Sequence, residues 1–180
     1  MHGHDDVARQ AYEEGRELTA AAGDQAHLAM FLGNLSFLAD HRGDYAEARR
    51  LCRQAIRIGW SLGRRMLAVW VIAEQAGAEL GLGRPELGAR LLGAADEALE
   101  VLDARWNPCD VPEHSRILDA LNEVLGEPNC RLLRAEGAQL SLDQAVALAL
   151  ADQPDPRYLS PPHTTDESLQ LATSVSARPT

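Results

Sequence analysis

The sequence predicts an all-α protein: an α-solenoid of antiparallel helix pairs with a step of about 40 residues, closed by a C-terminal helical cap. Three observations lead to this prediction. Glycines recur at a fixed spacing, at positions 23, 43, 63 and 83. Between them, apolar residues recur every three or four positions, the period of one helix face. Hydrophobic residues make up 46% of the chain but aromatic residues only 4%, which favours closely packed helices of Leu, Ala and Val.

Five long helices are expected in the first part of the chain, at about residues 6–22, 25–41, 45–62, 65–82 and 85–104. A glycine after each of the first four suits the left-handed residue that ends a helix. Asp44 can cap the third helix, with Glu47 as its capping-box partner. Pro85 lies in the first turn of the fifth, where its missing N–H does no harm. The short connections force neighbouring helices to be antiparallel.

Three shorter helices are expected next, at about residues 111–125, 128–136 and 142–151. Asp110 can cap the first of them, with Glu113 as the capping-box partner, and Ser141 and Gln144 form the same pattern before the last. Gly137 is expected to stop the middle helix. Together these helices are predicted to cap the exposed end of the array, as solenoids require.

The chain therefore divides into three predicted parts. Residues 1–104 form the helical repeats and residues 105–152 form the cap. Residues 153–180 contain several Pro, Ser and Thr and few periodic apolar residues. That composition predicts a disordered tail.

Charge and targeting signals limit the partners. The formal net charge is −10, and all 17 basic residues are Arg spread along the helices. This argues against nucleic acid and against an anionic membrane surface. The N-terminus has no signal-peptide pattern, and the longest apolar run, about residues 66–73, is too short to span a bilayer. We expect a cytoplasmic protein.

No group of residues predicts catalysis, a cofactor or a metal centre. The His and Asp residues at positions 2, 4, 5 and 6 lie at a chain terminus, where ions bind weakly and without geometry. Cys52, Cys109 and Cys130 are odd in number and widely separated, which fits neither a disulfide framework nor zinc spacing. Cys52 falls on an apolar helix face, where free Cys is usually a small hydrophobe. An enzyme is therefore the least favoured interpretation.

The central pattern resembles a tetratricopeptide repeat (TPR). The small and large apolar residues of its second helix correspond here to Gly43-Asp44-Tyr45, Ala48, Leu51-Cys52, Ala55 and Ile58, and again to Gly83, Gly88, Leu91-Leu92 and Ala95. The step is longer than the usual 34 residues, and Leu32 and Ile72 stand where that family has Trp. The resemblance is to the longer, degenerate repeats.

A narrower resemblance covers about residues 8–151. It is carried, in order, by Gly33-Asn34-Leu35, Arg42-Gly43-Asp44-Tyr45, the segment 89–96 (ARLLGAAD) and the segment 140–150 (LSLDQAVALAL). These motifs resemble the C-terminal repeat region of bacterial LuxR-type and antibiotic-regulatory signal-transduction ATPases. The resemblance implies a sensor or protein-interaction arm of a transcriptional regulator. Neither a phosphate-binding loop nor a helix-turn-helix pattern is present, so ATP hydrolysis and DNA binding are not implied for this chain.

A ligand groove is predicted on the first helix of each pair, which lines the concave side of such arrays. The residues expected to face inward mix small, aromatic and polar side chains: Met30, Gly33, Asn34, Phe37, His41, Trp70, Ala73, Glu74 and Gly77. This mixture suits an apolar peptide or helix from a protein partner. Two alternatives stay open: a peptide or small-molecule sensor that uses the same groove, and simple packing of these residues between repeats.

The array begins with a second-type helix at residues 6–22 that lacks its partner, which leaves an apolar edge. We expect that edge to be covered by a copy of itself, which makes a homodimer, or by another protein. Size-exclusion chromatography with light scattering checks the first alternative by measuring the mass of the purified chain in solution. A mass of twice the chain mass is expected for self-association, and a clean monomer contradicts it.

Overall fold

The structure is a computed structural model that describes residues 2–151, with side chains from Asp6 onward. Within this range the regular structure is entirely helical, as the sequence predicts. The eight helices are α1 (His2–Ala22), α2 (Gln25–His41), α3 (Tyr45–Ser61), α4 (Arg65–Gly81), α5 (Pro85–Val101), α6 (Val111–Leu125), α7 (Glu127–Ala138) and α8 (Leu142–Leu150). The predicted tail, residues 153–180, lies outside the described residues.

One turn geometry separates the first five helices. Helices α2 to α5 each have 17 residues and begin at positions 25, 45, 65 and 85. The glycine two residues before each start has φ between +67° and +77°. In all four turns the residue after the glycine donates its backbone N–H to the carbonyl five residues earlier, at 2.9 Å. This is the Schellman ending that the glycine spacing predicts.

The same turn occurs a fifth time without glycine. Asp103 has φ +50°, and the N–H of Ala104 donates to the carbonyl of Leu99 at 2.9 Å. The predicted helix to residue 104 therefore ends earlier, at Val101, because Asp103 takes the left-handed position. Asp tolerates that conformation better than most residues, so the repeat of the turn continues where the repeat of glycine stops.

The predicted caps are partly confirmed. Ser141 and Gln144 form the full capping box: the Ser141 Oγ accepts the Gln144 N–H at 3.3 Å, and the Ser141 N–H donates to Gln144 Oε1 at 2.8 Å. Asp44 accepts the N–H of Glu47 at 3.3 Å. The Glu47 carboxylate, however, accepts hydrogen bonds from Arg50 rather than completing the box.

Two terminus predictions are wrong. Asp110 makes no side-chain capping hydrogen bond, and Glu113 interacts with His41 and Arg116 instead of serving as its capping partner. Gly137 does not stop α7, which continues to Ala138. In both cases the residue instead contacts a helix distant in the sequence: Glu113 contacts His41 of α2, and Gly137 lies against Arg90 of α5.

Helix α4 lies at the centre of the core. It contacts α2, α3, α5, α6 and α8, and every residue from Val71 to Glu79 is buried. A helix that is buried on all sides must be surrounded by other helices. Neither α4 nor any other helix within residues 2–151 is long and apolar enough to cross a membrane.

Helices α5 and α7 pack with their backbones in close approach. A Cβ atom added to Gly93 would overlap the carbonyl oxygen of Arg134, and one added to Gly137 would overlap that of Arg90. The side chain of Arg90 is 2% exposed and donates from Nε to Glu136 Oε2 at 2.8 Å. The close approach of these two helices therefore needs glycine on both of them, because no larger residue fits.

Helix α8 is held by hydrogen bonds to its C-terminal end. Gln75 Nε2 donates to the carbonyl of Ala149 at 2.8 Å, Arg49 Nη2 to that of Ala151 at 3.2 Å, and Arg53 to that of Leu150. Cationic donors at a helix C-terminus satisfy its last carbonyls and complement its dipole. Helix α8 contacts α3, α4 and α5, whereas α6 and α7 contact α5 and each other.

Replacing Gly93 with alanine tests the close crossing of α5 and α7. The added methyl group collides with backbone that cannot move aside, so we expect G93A to lower the free energy of unfolding by roughly 3 kcal/mol. Denaturant unfolding followed by circular dichroism measures this. The matched control is G59A, where the added Cβ meets the movable side chain of Leu67 at 3.2 Å. A G93A variant as stable as G59A would contradict the packing.

Candidate functional site

The predicted groove residues lie on α2 and α4 at graded depths. Met30 and His41 are exposed, and three residues are half-buried: Asn34, Phe37 and Trp70. The remaining four are buried: Gly33, Ala73, Glu74 and Gly77. The half-buried rings of Phe37 and Trp70 leave part of this surface, which we call the α2–α4 face, accessible.

Gly33 and Trp70 bring the two helices together. A Cβ atom added to Gly33 would lie 3.0 Å from Cζ3 of Trp70 and 3.3 Å from a methyl group of Val71. The indole ring therefore packs closely against the backbone of α2. On α2 itself, the rings of Phe37 and His41 are 4.3 Å apart.

Helix α6 covers one end of the α2–α4 face. Ile117 is 2% exposed, and a Cβ atom added to Gly77 would lie 3.3 Å from its side chain. His41 Nε2 and Glu113 Oε2 are 2.8 Å apart. Sequence reasoning placed α6 in a cap over the end of the array and missed this contact. The groove as a ligand site stays a prediction.

Charged residues collect where α2, α4 and α6 meet. Arg116 Nη2 donates to Asp40 Oδ2 and to Glu113 Oε1, each at 2.6 Å. Glu74 lies near enough to Asp40 and Glu113 for their charges to affect its titration. We call the set formed by Asp40, His41, Glu74, Glu113 and Arg116 the acidic junction.

The carboxyl groups of the acidic junction titrate differently. Burial is the largest influence on Asp40 and raises its pKa, while Arg116 opposes this. Burial acts in the same direction on Glu113, but hydrogen bonds from Arg116 and His41 outweigh it, so the pKa of Glu113 is lowered. Burial, followed by the charges of Glu113 and Asp40, raises the pKa of Glu74 to about 8.

Glu74 is the unusual member of the junction. Its side chain is 8% exposed, and no hydrogen bond or ion pair joins its carboxyl group to another residue in the described part of the chain. Four residues earlier, the indole N–H of Trp70 is also buried without a hydrogen-bond partner. Buried polar groups are normally satisfied, so each exception calls for an explanation.

A separate cavity lies between α5, the loop at residues 104–106, the start of α6, and α7. It has a volume of about 660 Å³, and its lining combines apolar residues with the charged or titratable residues Asp96, Glu97, Glu100, Arg105, His114, Arg131 and Arg134. At its wall Asp96 accepts from Trp106 Nε1 at 3.0 Å and from Arg134 Nη2 at 2.6 Å, and it lies 2.8 Å from His114 Nε2. Burial raises the pKa of Asp96, but the hydrogen bonds from His114 and Arg134 outweigh it and leave the pKa lowered.

Sequence reasoning missed this cavity because its walls come from three separate segments. Asp96 ends one of the motifs that carry the regulator resemblance, and Trp106 stands in the loop, so both signals were visible. Nothing in their spacing showed that they meet.

Metal ligation and the position of Cys52 can both be checked on the described side chains. From Asp6 to Ala151, no group of three or more His, Cys, Asp or Glu residues could hold a metal ion. Cys52 is buried in the core, as its place on the apolar face predicts, and burial raises the pKa of its thiol. The side chains of His2, His4 and Asp5 lie outside the described part.

The pKa of Glu74 predicts a pH-dependent stability. In the folded chain the carboxyl keeps its proton to about pH 8, whereas its ordinary pKa is 4.5. Between these values the folded state binds more protons than the unfolded state, so the free energy of unfolding falls as the pH rises. Glu74→Gln removes this loss of stability at high pH, because the amide does not titrate. We therefore expect E74Q to melt a few degrees above the wild type at pH 8, which corresponds to about 1 kcal/mol or more.

The same comparison at about pH 5 should show little difference, because Glu74 is protonated there and resembles Gln. Glu123→Gln is the matched control, since Glu123 is exposed on α6, and it should change the melting temperature at neither pH. An equal effect of E74Q at both pH values would contradict the buried, uncompensated carboxyl group.

No protein-family model, curated protein or solved structure matches the chain. A functional proposal therefore rests on the geometry described above.

Proposed function

We propose that this chain is a helical-repeat module for protein–protein interaction, a cytoplasmic TPR-like solenoid that holds a peptide or helix on its α2–α4 face. Its role would be that of a regulatory or sensor arm of a bacterial LuxR-type transcriptional regulator, or of a truncated remnant of one. The helix starts at 20-residue intervals, each following the same left-handed turn, support the repeat architecture.

The single observation that carries the binding role is the position of α6. This amphipathic helix packs against α4, α5 and α7, with Ile117 against Gly77 of α4 and Arg116 bonded to Asp40 of α2. At its His41 end, the α2–α4 face is therefore already in contact with side chains of another helix, α6. Beyond α6 it presents the half-buried residues Asn34, Phe37 and Trp70, the kind of apolar surface that receives an amphipathic helix.

The exposed side of α1 supports the predicted self-association. Val7 and Leu18 are 68% and 72% exposed. They lie eleven residues apart, three helical turns, and so share one face of α1. In the repeat register Leu18 corresponds to Ile58 of α3, which is half-buried against the core. A second copy of the chain, or another protein, would cover the equivalent position on α1.

A small-molecule sensor is the second candidate function. The observation that favours it is the cavity of about 660 Å³ beside Trp106, since ligand sites are concavities of about this size that combine apolar walls with polar groups. This site differs from the groove that the sequence predicts.

Display of random helical peptides on the purified chain tests the proposed interaction. We expect the wild type to enrich peptides, and Asn34→Trp to abolish enrichment because the indole fills the open part of the α2–α4 face. Arg57→Trp places the same bulk at an exposed position of α3 and should retain enrichment. Circular dichroism confirms that both variants fold.

Equal enrichment by all three proteins would contradict binding at the α2–α4 face. A chain that enriches no peptide, but melts at a higher temperature when a small molecule is added, would instead favour the second candidate.

A further inference from the structure

Two buried carboxyl groups in the acidic junction have oxygens without a partner. Glu74 is 8% exposed and lacks a hydrogen bond or ion pair among the described residues. Asp40 is 6% exposed, and its Oδ1 is buried without a hydrogen bond, while its Oδ2 accepts from Arg116. Burial of a polar group without compensation costs free energy, so this arrangement has acceptor capacity left for a donor that is not part of the chain.

The charges around Glu74 favour a cation as that donor. On α2 the groups concerned are Asp40 and His41, and at α6 they are Asp110, Glu113 and Arg116. With Glu74 itself on α4, this makes four carboxyl groups around a single guanidinium group, that of Arg116. Arg116 is 44% exposed and already has two carboxylate partners, Asp40 and Glu113.

The neighbouring surface favours guanidinium over ammonium. Trp70 lies four residues before Glu74 on α4, so the two side chains are neighbours on one helix face. Trp70 and Phe37 are both half-buried, which leaves part of each ring accessible. A guanidinium group is planar, stacks on aromatic rings and offers several donors to carboxylates at once, whereas an ammonium group is a compact, strongly hydrated charge.

We propose that the α2–α4 face binds an arginine side chain of a helical peptide partner, with Glu74 and Asp40 receiving its guanidinium group and Trp70 packing against it. The inference rests on the proposed function and specifies the partner's chemistry. Arg116 gives an internal example of the same recognition, since its guanidinium group joins α6 to Asp40 on α2.

Binding of this kind releases a proton. Glu74 has a pKa of about 8 and is mostly protonated at neutral pH. An incoming guanidinium group favours the ionised carboxylate. The affinity should therefore rise with pH up to about 8, and below that value it should weaken by about tenfold per pH unit if one proton is released.

The test uses one peptide enriched on the wild-type chain, synthesised with arginine and with citrulline, the uncharged isostere. Isothermal titration at about pH 8 should show a loss of roughly tenfold or more for the citrulline peptide, the loss expected for one charged hydrogen bond. Glu74→Gln should weaken the arginine peptide by a similar factor and remove its pH dependence. Glu123→Gln, at an exposed carboxylate, should change neither.

The outcomes separate this inference from the proposed function. Enriched peptides that lack arginine, or that bind equally with citrulline, overturn the inference while binding at the α2–α4 face stands. An affinity for E74Q equal to that of the wild type does the same. If no peptide is enriched in a way that Asn34→Trp abolishes, both the function and the inference fail.

Discussion

The burial of α4 is the constraint on which the rest of the structure depends. Residues 71–79 are buried on every side of the helix, including the charged residues Glu74 and Glu79. Each fully buried aliphatic side chain, such as Val71 or Ile72, contributes about 1.5–3 kcal/mol. Two layers of helices cannot cover such a segment completely, so α6 and α8 pack against it from further along the chain.

Polar groups on α4 are satisfied unequally by the helices that surround it. Glu79 accepts from Arg49 Nε at 2.9 Å and from Gln75 Nε2 at 3.1 Å, and Gln75 also reaches a carbonyl of α8. Five residues earlier in the chain, Glu74 receives no such donor. Both carboxyl groups are buried, so the difference lies in their partners, and Glu74 is the one with acceptor capacity left.

The sequence was informative wherever a local rule decided the outcome. Left-handed glycines, the Ser141 capping box and the burial of Cys52 follow from a few neighbouring residues, and all were predicted correctly. Asp103 ends α5 in the same way as the glycines end their helices, but this turn was not predicted because the residue is not glycine. Glu113 and Gly137 were misjudged because distant partners, His41 and Arg90, determine what they do.

By itself, the sequence determined the all-helical class, the spacing of the turns and most helix bounds, because backbone conformation and apolar periodicity act within a few residues. Only the tertiary structure decided that side chains of α6 reach Asp40 on α2 and Gly77 on α4. It also decided that Gly93 and Gly137 bring α5 and α7 together, and that Glu74 lies buried near Asp40. Those facts depend on contacts between residues tens of positions apart, and such contacts leave no periodic signal in the chain.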